Sequence, residues 1–201
     1  MAQEVDRRNF LKGLTRSALG LGSVVAFGDL LGASTLPNGQ KVALAKMAIF
    51  VDKTLCSGCR VCEMVCSNLN SEGRNTSSLA LLSVEKEYLK GDYQPKVCYQ
   101  CSDPPCLRVC PVGALQVERR RGTFARIIDE SLCIGCQQCI EACQQYFRPP
   151  RPRFDGQKQQ SIKCHLCFGD PQCVKFCPIG ALRVEHSERG LLVGYPVIKE
   201  D

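Results

Sequence analysis

Two stretches of the chain alternate apolar and polar positions with the period of a strand, in nearly the same residues. These are Ala114-Leu115-Gln116-Val117-Glu118 and Ala181-Leu182-Arg183-Val184-Glu185. Successive side chains of a strand point to opposite faces, so each run predicts a half-buried strand. Turns follow at Arg121-Gly122 and Arg189-Gly190, and residues 123–128 read as the strand returning from the first turn. Residues 79–84 predict another strand, with a turn at Lys90-Gly91-Asp92. Residues 14–36 are weakly apolar. Their longest charge-free part, residues 17–28, is too short to cross a bilayer, and Asp29 interrupts it.

Composition changes this picture. The 201 residues are enough for one ordinary domain or two small ones, yet Trp is absent. Cysteine supplies 16 of the 201 positions, about 8%, a density at which cysteine chemistry organises a fold. The formal charge of +6 counts every cysteine as a neutral thiol. Four thiolate-held [4Fe–4S] cores at about −2 each would add about −8, which removes most of the support for a nucleic-acid partner.

The cysteines fall into four groups with none left over: Cys56-x2-Cys59-x2-Cys62-x3-Cys66, Cys98-x2-Cys101-x4-Cys106-x3-Cys110, Cys133-x2-Cys136-x2-Cys139-x3-Cys143 and Cys164-x2-Cys167-x5-Cys173-x3-Cys177. Three cysteines at x2 spacing wrap a tight loop around one cubane. The fourth starts a helical turn that leads to a neighbouring cubane, as in two-cluster ferredoxins. Gly58 and Gly135 stand where such loops need positive φ and close approach to inorganic sulfide. Pro111 and Pro178 follow the last cysteines of groups two and four, while Ser67 and Gln144 stand there in the other two groups. Structural zinc prefers paired C-x2-C knuckles across a longer loop, and only His165 and His186 could add nitrogen ligands. A disulfide framework is disfavoured because such near neighbours would compete.

A repeat underlies the groups. Phe50-Val51-Asp52-x2-Leu55-Cys56 recurs as Ile127-Ile128-Asp129-x2-Leu132-Cys133, and Cys110-Pro111-Val112-Gly113-Ala114-Leu115 recurs as Cys177-Pro178-Ile179-Gly180-Ala181-Leu182. Group two runs through its hairpin into group three, which suggests one lobe made of those two groups. Groups one and four would close a second lobe around it. Spacing alone also allows two sequential lobes, first with second and third with fourth.

From Lys46 onward the chain resembles the four-cluster ferredoxin-type electron-transfer subunits of molybdenum and tungsten oxidoreductases. That family includes the iron–sulfur subunits of dimethyl-sulfoxide reductase, formate dehydrogenase and NrfC-type proteins. The resemblance implies an α+β fold of two bacterial-ferredoxin-like lobes, with small hairpins and short helices around four [4Fe–4S] clusters. It implies an outer lobe from residues 46–96 and 161–201, an inserted lobe from residues 97–145 and a Pro/Arg-rich connector at residues 146–160. It also implies four ligand sets: Cys56, Cys59, Cys62 and Cys177; Cys66, Cys164, Cys167 and Cys173; Cys98, Cys101, Cys106 and Cys143; and Cys110, Cys133, Cys136 and Cys139. The expected role is relay of single electrons between a molybdenum- or tungsten-pterin catalytic subunit and a membrane quinone-linked or other redox partner. The alternatives are service to a tungsten aldehyde-oxidoreductase-like enzyme and a structural zinc protein. The chain has no P-loop, dinucleotide fingerprint or defensible acid–base constellation, so it is expected not to be an enzyme on its own.

Residues 1–45 resemble a twin-arginine signal, carried by Arg7-Arg8-Asn9-Phe10-Leu11-Lys12, with a small-x-small cleavage site at Ala43-Leu44-Ala45. A periplasmic location is expected, reached after clusters are loaded, since an oxidising compartment works against free thiols. Within the connector, Tyr146-Phe147-Arg148-Pro149-Pro150-Arg151-Pro152-Arg153-Phe154 alternates arginine with aromatics, which suits an interface as well as it suits a solvated loop. Arg119-Arg120-Arg121 reads as a charged hairpin tip. His165 is expected to face solvent, although its place beside Cys164 also allows hydrogen bonding toward a cluster.

Overall fold

The computed structural model describes residues 33–35 and 41–193. Arg7, Arg8 and most of the leader-like segment lie outside the described residues. Strand β1 (Ala33–Thr35) pairs antiparallel with β2 (Lys41–Ala43). The chain continues through β3 (Met47–Val51), α1 (Val61–Asn70), β4 (Ser83–Glu87) and β5 (Asp92–Lys96). It then forms α2 (Pro105–Arg108), β6 (Leu115–Val117), β7 (Arg126–Ile128) and α3 (Gln138–Gln144). Last come β8 (Arg153–Asp155), β9 (Gln160–Ile162), α4 (Gln172–Lys175) and β10 (Leu182–His186). The described strands form five two-stranded antiparallel sheets.

The repeat seen in the sequence has a common geometry. Leu115 faces Ile128 across β6–β7, and Leu182 faces Val51 across β10–β3. The backbone N–H of Asp129 donates to Ala114 O at 2.8 Å, and that of Asp52 donates to Ala181 O at 2.8 Å. Each aspartate then accepts from the amide two residues on, Ser131 or Thr54, at 3.0 Å. One pair is local and the other joins strands 131 positions apart at the Leu182–Val51 pair, so the second copy of the hairpin is assembled from both ends of the cysteine-bearing region. The helices follow suit: α1 packs on α4, and α2 packs on α3.

The strand expected over residues 79–84 begins later. Ser77–Leu79 is a 3₁₀ turn, and pairing starts at Ser83. Apolar continuity from Leu79 to Leu82 reflects burial in the core instead of strand alternation, since all four residues there are buried. The turn at Lys90-Gly91-Asp92 closes β4 onto β5, with Gly91 N donating to Glu87 O at 2.8 Å. Arg119, Arg120 and Arg121 stand exposed at the β6–β7 tip, where the buried Glu118 carboxylate accepts from the Arg121 amide at 2.6 Å and from the Thr123 hydroxyl at 2.8 Å. Ala45, the residue expected before a cleavage, is fully buried, and its carbonyl accepts from Leu191 N at 2.7 Å.

The connector is neither a solvated loop nor an open interface. Phe147 is 3% exposed and stacks on Tyr99 at 5.1 Å, and the half-turn beyond it buries Arg151 and Pro152. Arg151 lies over both rings, 5.5 Å from Tyr99 and 5.3 Å from Phe147, so the alternating arginine and aromatic residues pack on one another. β8 and β9 then form a hairpin that Arg74 ties to the rest of the fold. Its guanidinium donates to both carboxylate oxygens of the buried Asp155, at 3.0 and 2.5 Å.

That pair predicts an acid-sensitive contribution. Hydrogen bonding from Arg74 holds the Asp155 carboxyl well below the usual carboxylate range. An unfolded aspartate binds its proton near pH 3.9. The stability from the pair is therefore fully present above that pH and is lost as pH falls toward the lower folded value. Arg74→Met is expected to lower the urea midpoint at neutral pH. The gap to the parent chain should close progressively below about pH 4. A gap independent of pH would show that Asp155 is not the partner that matters.

Candidate metal centre

The α-helices carry six of the cysteines and set up pairs four apart: Cys62 and Cys66 on α1, Cys139 and Cys143 on α3, with Cys106 on α2 four residues before Cys110, and Cys173 on α4 four before Cys177. The loops leading into α1 and α3 are alike. Gly58 and Gly135 have φ of 74° and 70°, and Arg60 and Gln137 both have φ of 60° immediately before the helix. The left-handed arginine and glutamine cost about 1–3 kcal/mol each, a strain that persists only where a surrounding constellation imposes it. The glycines meet the expectation of positive φ. The close neighbours that their missing Cβ accommodates are the Tyr93 ring at Gly58 and the Gln159 carbonyl at Gly135, both parts of hairpins folded over the loop.

These elements bring the thiols together in fours. Cys98, Cys101, Cys106 and Cys143 line one cavity of about 310 Å³. Cys66, Cys164, Cys167 and Cys173 line a second, of about 330 Å³. Cys110, Cys133, Cys136 and Cys139 line a third, of about 310 Å³. Cys59 and Cys177 lie close enough to act on the Cys62 thiol, and Cys56 lies on the same loop. Each cavity therefore draws on more than one cysteine group: two with three in two cases, one with four in another. All sixteen cysteines are free thiols.

Burial pushes the thiols up. Cys62, Cys101 and Cys173 rise to about 12, and Cys66 and Cys143 to about 11. Cys106, Cys139 and Cys164 are raised by burial as well. Left to themselves these thiols hold their protons at neutral pH. A positively charged metal core in the cavity would replace those protons, which is the usual route to a buried thiolate. Four thiols ring each cavity, a donor set that suits a multi-atom iron–sulfur core.

Polar donors already aim at sulfur. The Lys163 ammonium donates to Cys98 Sγ at 3.1 Å, the Arg151 amide to Cys143 Sγ at 3.3 Å and the Leu81 amide to Cys66 Sγ at 3.3 Å. His165 does not face solvent. It stacks on Phe168 at 4.3 Å, and its Nε2 pairs with Asn70 Oδ1 at 2.8 Å while Asn70 Nδ2 reaches Cys66 Sγ at 3.6 Å. The imidazole thus reaches Cys66 through Asn70 and also lines the same cavity.

Sequence reasoning missed the polar residues around the Cys98 cavity. Gln100 is fully buried, accepts from Arg126 N at 2.7 Å and donates to Cys164 O at 3.0 Å, so it links group two to group four. Arg126 is fully buried, with Nη1 donating to Phe124 O at 2.7 Å and with Nε and Nη2 unpartnered. Arg151 Nε is unpartnered too. Orphaned buried guanidinium nitrogens lining a thiol cavity fit an anionic group there, as a thiolate-held cluster would be. Only the placement of Gln100 between Cys98 and Cys101, and of Lys163 before Cys164, hinted at these roles.

Comparison with known proteins agrees with the geometry. The profile of the 4Fe-4S dicluster domain matches residues 89–187. The polyferredoxin-like subunit of aliphatic sulfonate oxidoreductase from Pyrococcus furiosus is 37% identical over 129 residues, covering 64% of this chain and 70% of the relative. The probable anaerobic dimethyl sulfoxide reductase chain YnfG of Escherichia coli is 31% identical, over 66% of this chain and 70% of its own length. The NrfC homolog of Haemophilus influenzae is 31% identical, over 88% and 78%. With a shared cysteine-bound fold and relatives covered over more than two thirds of their length, the chain belongs to the family of [4Fe–4S] ferredoxin-type iron–sulfur electron-transfer subunits of oxidoreductases.

Proposed function

We propose that this chain relays single electrons through four [4Fe–4S] clusters. The sets that would hold them are Cys56, Cys59, Cys62 and Cys177; Cys66, Cys164, Cys167 and Cys173; Cys98, Cys101, Cys106 and Cys143; and Cys110, Cys133, Cys136 and Cys139. The observation that carries the reading is the gathering of four thiols around each of three cavities, with helices whose paired cysteines serve adjacent sets. A cluster in such a set supplies one-electron chemistry, changing oxidation level while its four ligands stay fixed.

The chain's own residues supply the order. Helix α1 links the Cys56 set to the Cys66 set through Cys62 and Cys66, and α3 links the Cys98 set to the Cys110 set through Cys143 and Cys139. Between the two halves, Lys163 bridges Cys98 and Cys164, donating to Cys98 Sγ at 3.1 Å and to Cys164 O at 3.4 Å. Cys59 and Cys136, one at each end of that order, are the two exposed cysteines. Exposure at both ends and burial between them suits entry and exit of electrons at separate surfaces. The pairing of α1 with α4 and of α2 with α3 supports a lobe closed around an inserted one.

The partners follow from the family. A catalytic subunit carrying a molybdenum or tungsten pterin would meet one exposed end, and a quinone-linked membrane subunit or another redox protein the other. Export in folded form by the twin-arginine route, placing the complex in the periplasm, accounts for a leader-like segment on a thiol-rich chain. In a second reading the same thiol sets serve a tungsten aldehyde-oxidoreductase-like enzyme, and only the catalytic partner differs.

Purified without oxygen, the chain is expected to contain about sixteen iron and sixteen sulfide per molecule and to bleach in the visible with dithionite. Zinc in place of iron, or cystines in place of sulfide-bound thiols, would end the reading. Identification of the large subunit that co-purifies, and of its metal, separates the molybdenum reading from the tungsten one.

A further inference from the structure

The cavities differ in the charges that line them. The one ringed by Cys98, Cys101, Cys106 and Cys143 is walled by three buried cations, Arg126, Arg151 and Lys163, at 0%, 6% and 5% exposure. No carboxylate lines it. Among the described residues no lysine or arginine lines the Cys66 cavity, and Arg153 acts on Cys66 from outside it; the walls are Ile49, Leu81, Leu82 and Leu166, with Asn70, Gln172 and His165. The Cys110 cavity is lined by aliphatic residues and Ser161, without a charged side chain apart from the thiols. Near the Cys56 set, Arg60 is more than half exposed and already faces Glu63 at 3.8 Å, so water and the carboxylate screen it.

We infer that Lys163, Arg151 and Arg126 make the Cys98–Cys101–Cys106–Cys143 site the most easily reduced in the chain, the place where a transferred electron rests. The inference builds on the electron-relay reading above. An added electron increases the negative charge of a buried site. Fixed cations in contact with that site favour the reduced form, and a hydrogen bond to a ligand sulfur acts in the same direction. Lys163 supplies both, since its Nζ is 3.1 Å from Cys98 Sγ. It is also held by Arg126 O at 2.7 Å and Cys164 O at 3.4 Å, which place the ammonium between the Cys98 and Cys164 sets. The Arg151 amide donates to Cys143 Sγ, on the other side of the same cavity. The three cations also act against the low solvent exposure of this site, which alone would make it harder to reduce than the ends of the relay.

The test is a redox-poised spectroscopic titration of the loaded chain and its variants, each checked for iron and sulfide. In Lys163→Gln and in Arg151→Gln, the most positive one-electron wave is expected to become about tenfold less favourable to reduction, ~59 mV for one electron, and to move further than any other wave. Lys163→Arg should restore the wave, because guanidinium keeps the charge. Arg120→Gln, at the exposed hairpin tip, should leave every wave unchanged. The inference is overturned if the most positive wave holds its position in a fully loaded Lys163→Gln chain, or if a different wave moves further. Loss of iron in both glutamine variants, with Lys163→Arg still loaded, would overturn it too, since the cations would then hold the site together instead of tuning it. An unsubstituted chain without iron and sulfide would instead bring down the electron-relay reading itself.

Discussion

Stripping iron from the loaded chain is expected to unfold it. The three apolar cores of the described structure all include cysteines: Cys62, Cys66 and Cys173 in the largest, Cys101 and Cys143 in the second, Cys106 and Cys139 in the third. What surrounds them is weak on its own. Every sheet has two strands of three to five residues, and such ladders are marginal in water. The longest described helix, α1, spans ten residues, below the length at which isolated helices persist. Without metal, the thiols would be protonated polar groups facing one another across cavities of about 310–330 Å³. The free energy of ligation is then folding free energy. Chelation under reducing conditions should abolish both the cooperative melting transition and the near-ultraviolet dichroism, and rebuilding the clusters with iron and sulfide should restore them. An iron-free chain that still melts cooperatively would refute this.

The second large effect is local. Gly135→Ala should destabilise the chain by about 2–5 kcal/mol, combining the cost of a left-handed non-glycine residue with that of overpacking. The new Cβ would collide with the Gln159 carbonyl oxygen, which belongs to backbone and cannot rotate away. Gly113→Ala provides the comparison. Gly113 has φ of 65°, close to the 70° of Gly135, but a Cβ there meets nothing within 4 Å. It should therefore show only the conformational cost of about 1–2 kcal/mol. Paired denaturant titrations measure the difference. Equal losses would mean that the β8–β9 hairpin does not press on the Cys133–Cys136 loop. Because Gly135 lies between Cys133 and Cys136, iron occupancy should fall with stability in the first variant only.

Both effects trace to features with very different visibility in one dimension. The need for positive φ at Gly58 and Gly135 was legible, because a C-x2-C turn constrains its own backbone. The object that fills the space over each glycine was not, because Tyr93 and Gln159 arrive from hairpins 35 and 24 positions away. The repeated Asp52 and Asp129 turns, the short β6–β7 hairpin and the charged tip at Arg119-Arg120-Arg121 were legible for the same local reason. The alternating residues of the connector misled: arginines and aromatics that suit an open interface also suit one another, and Phe147 and Arg151 turned inward. His165 misled in a similar way, since nothing in its neighbours announces Asn70 or Phe168 beside it.

Spacing by itself determined that sixteen thiols would come as four groups, and that the last cysteine of each would part from the others. A helix advances a fixed distance per residue, so cysteines four apart lie about 6 Å apart along its axis wherever it sits. Which groups would share a cavity was decided only by tertiary structure. The pairing of β3 with β10, and of α1 with α4, closes a contact between segments more than a hundred positions apart, and no local propensity encodes such a contact. Tertiary structure alone also decided the charges around each cavity. A lysine or arginine reads as a surface residue until burial removes the water that would screen it, and burial is a property of the packed chain.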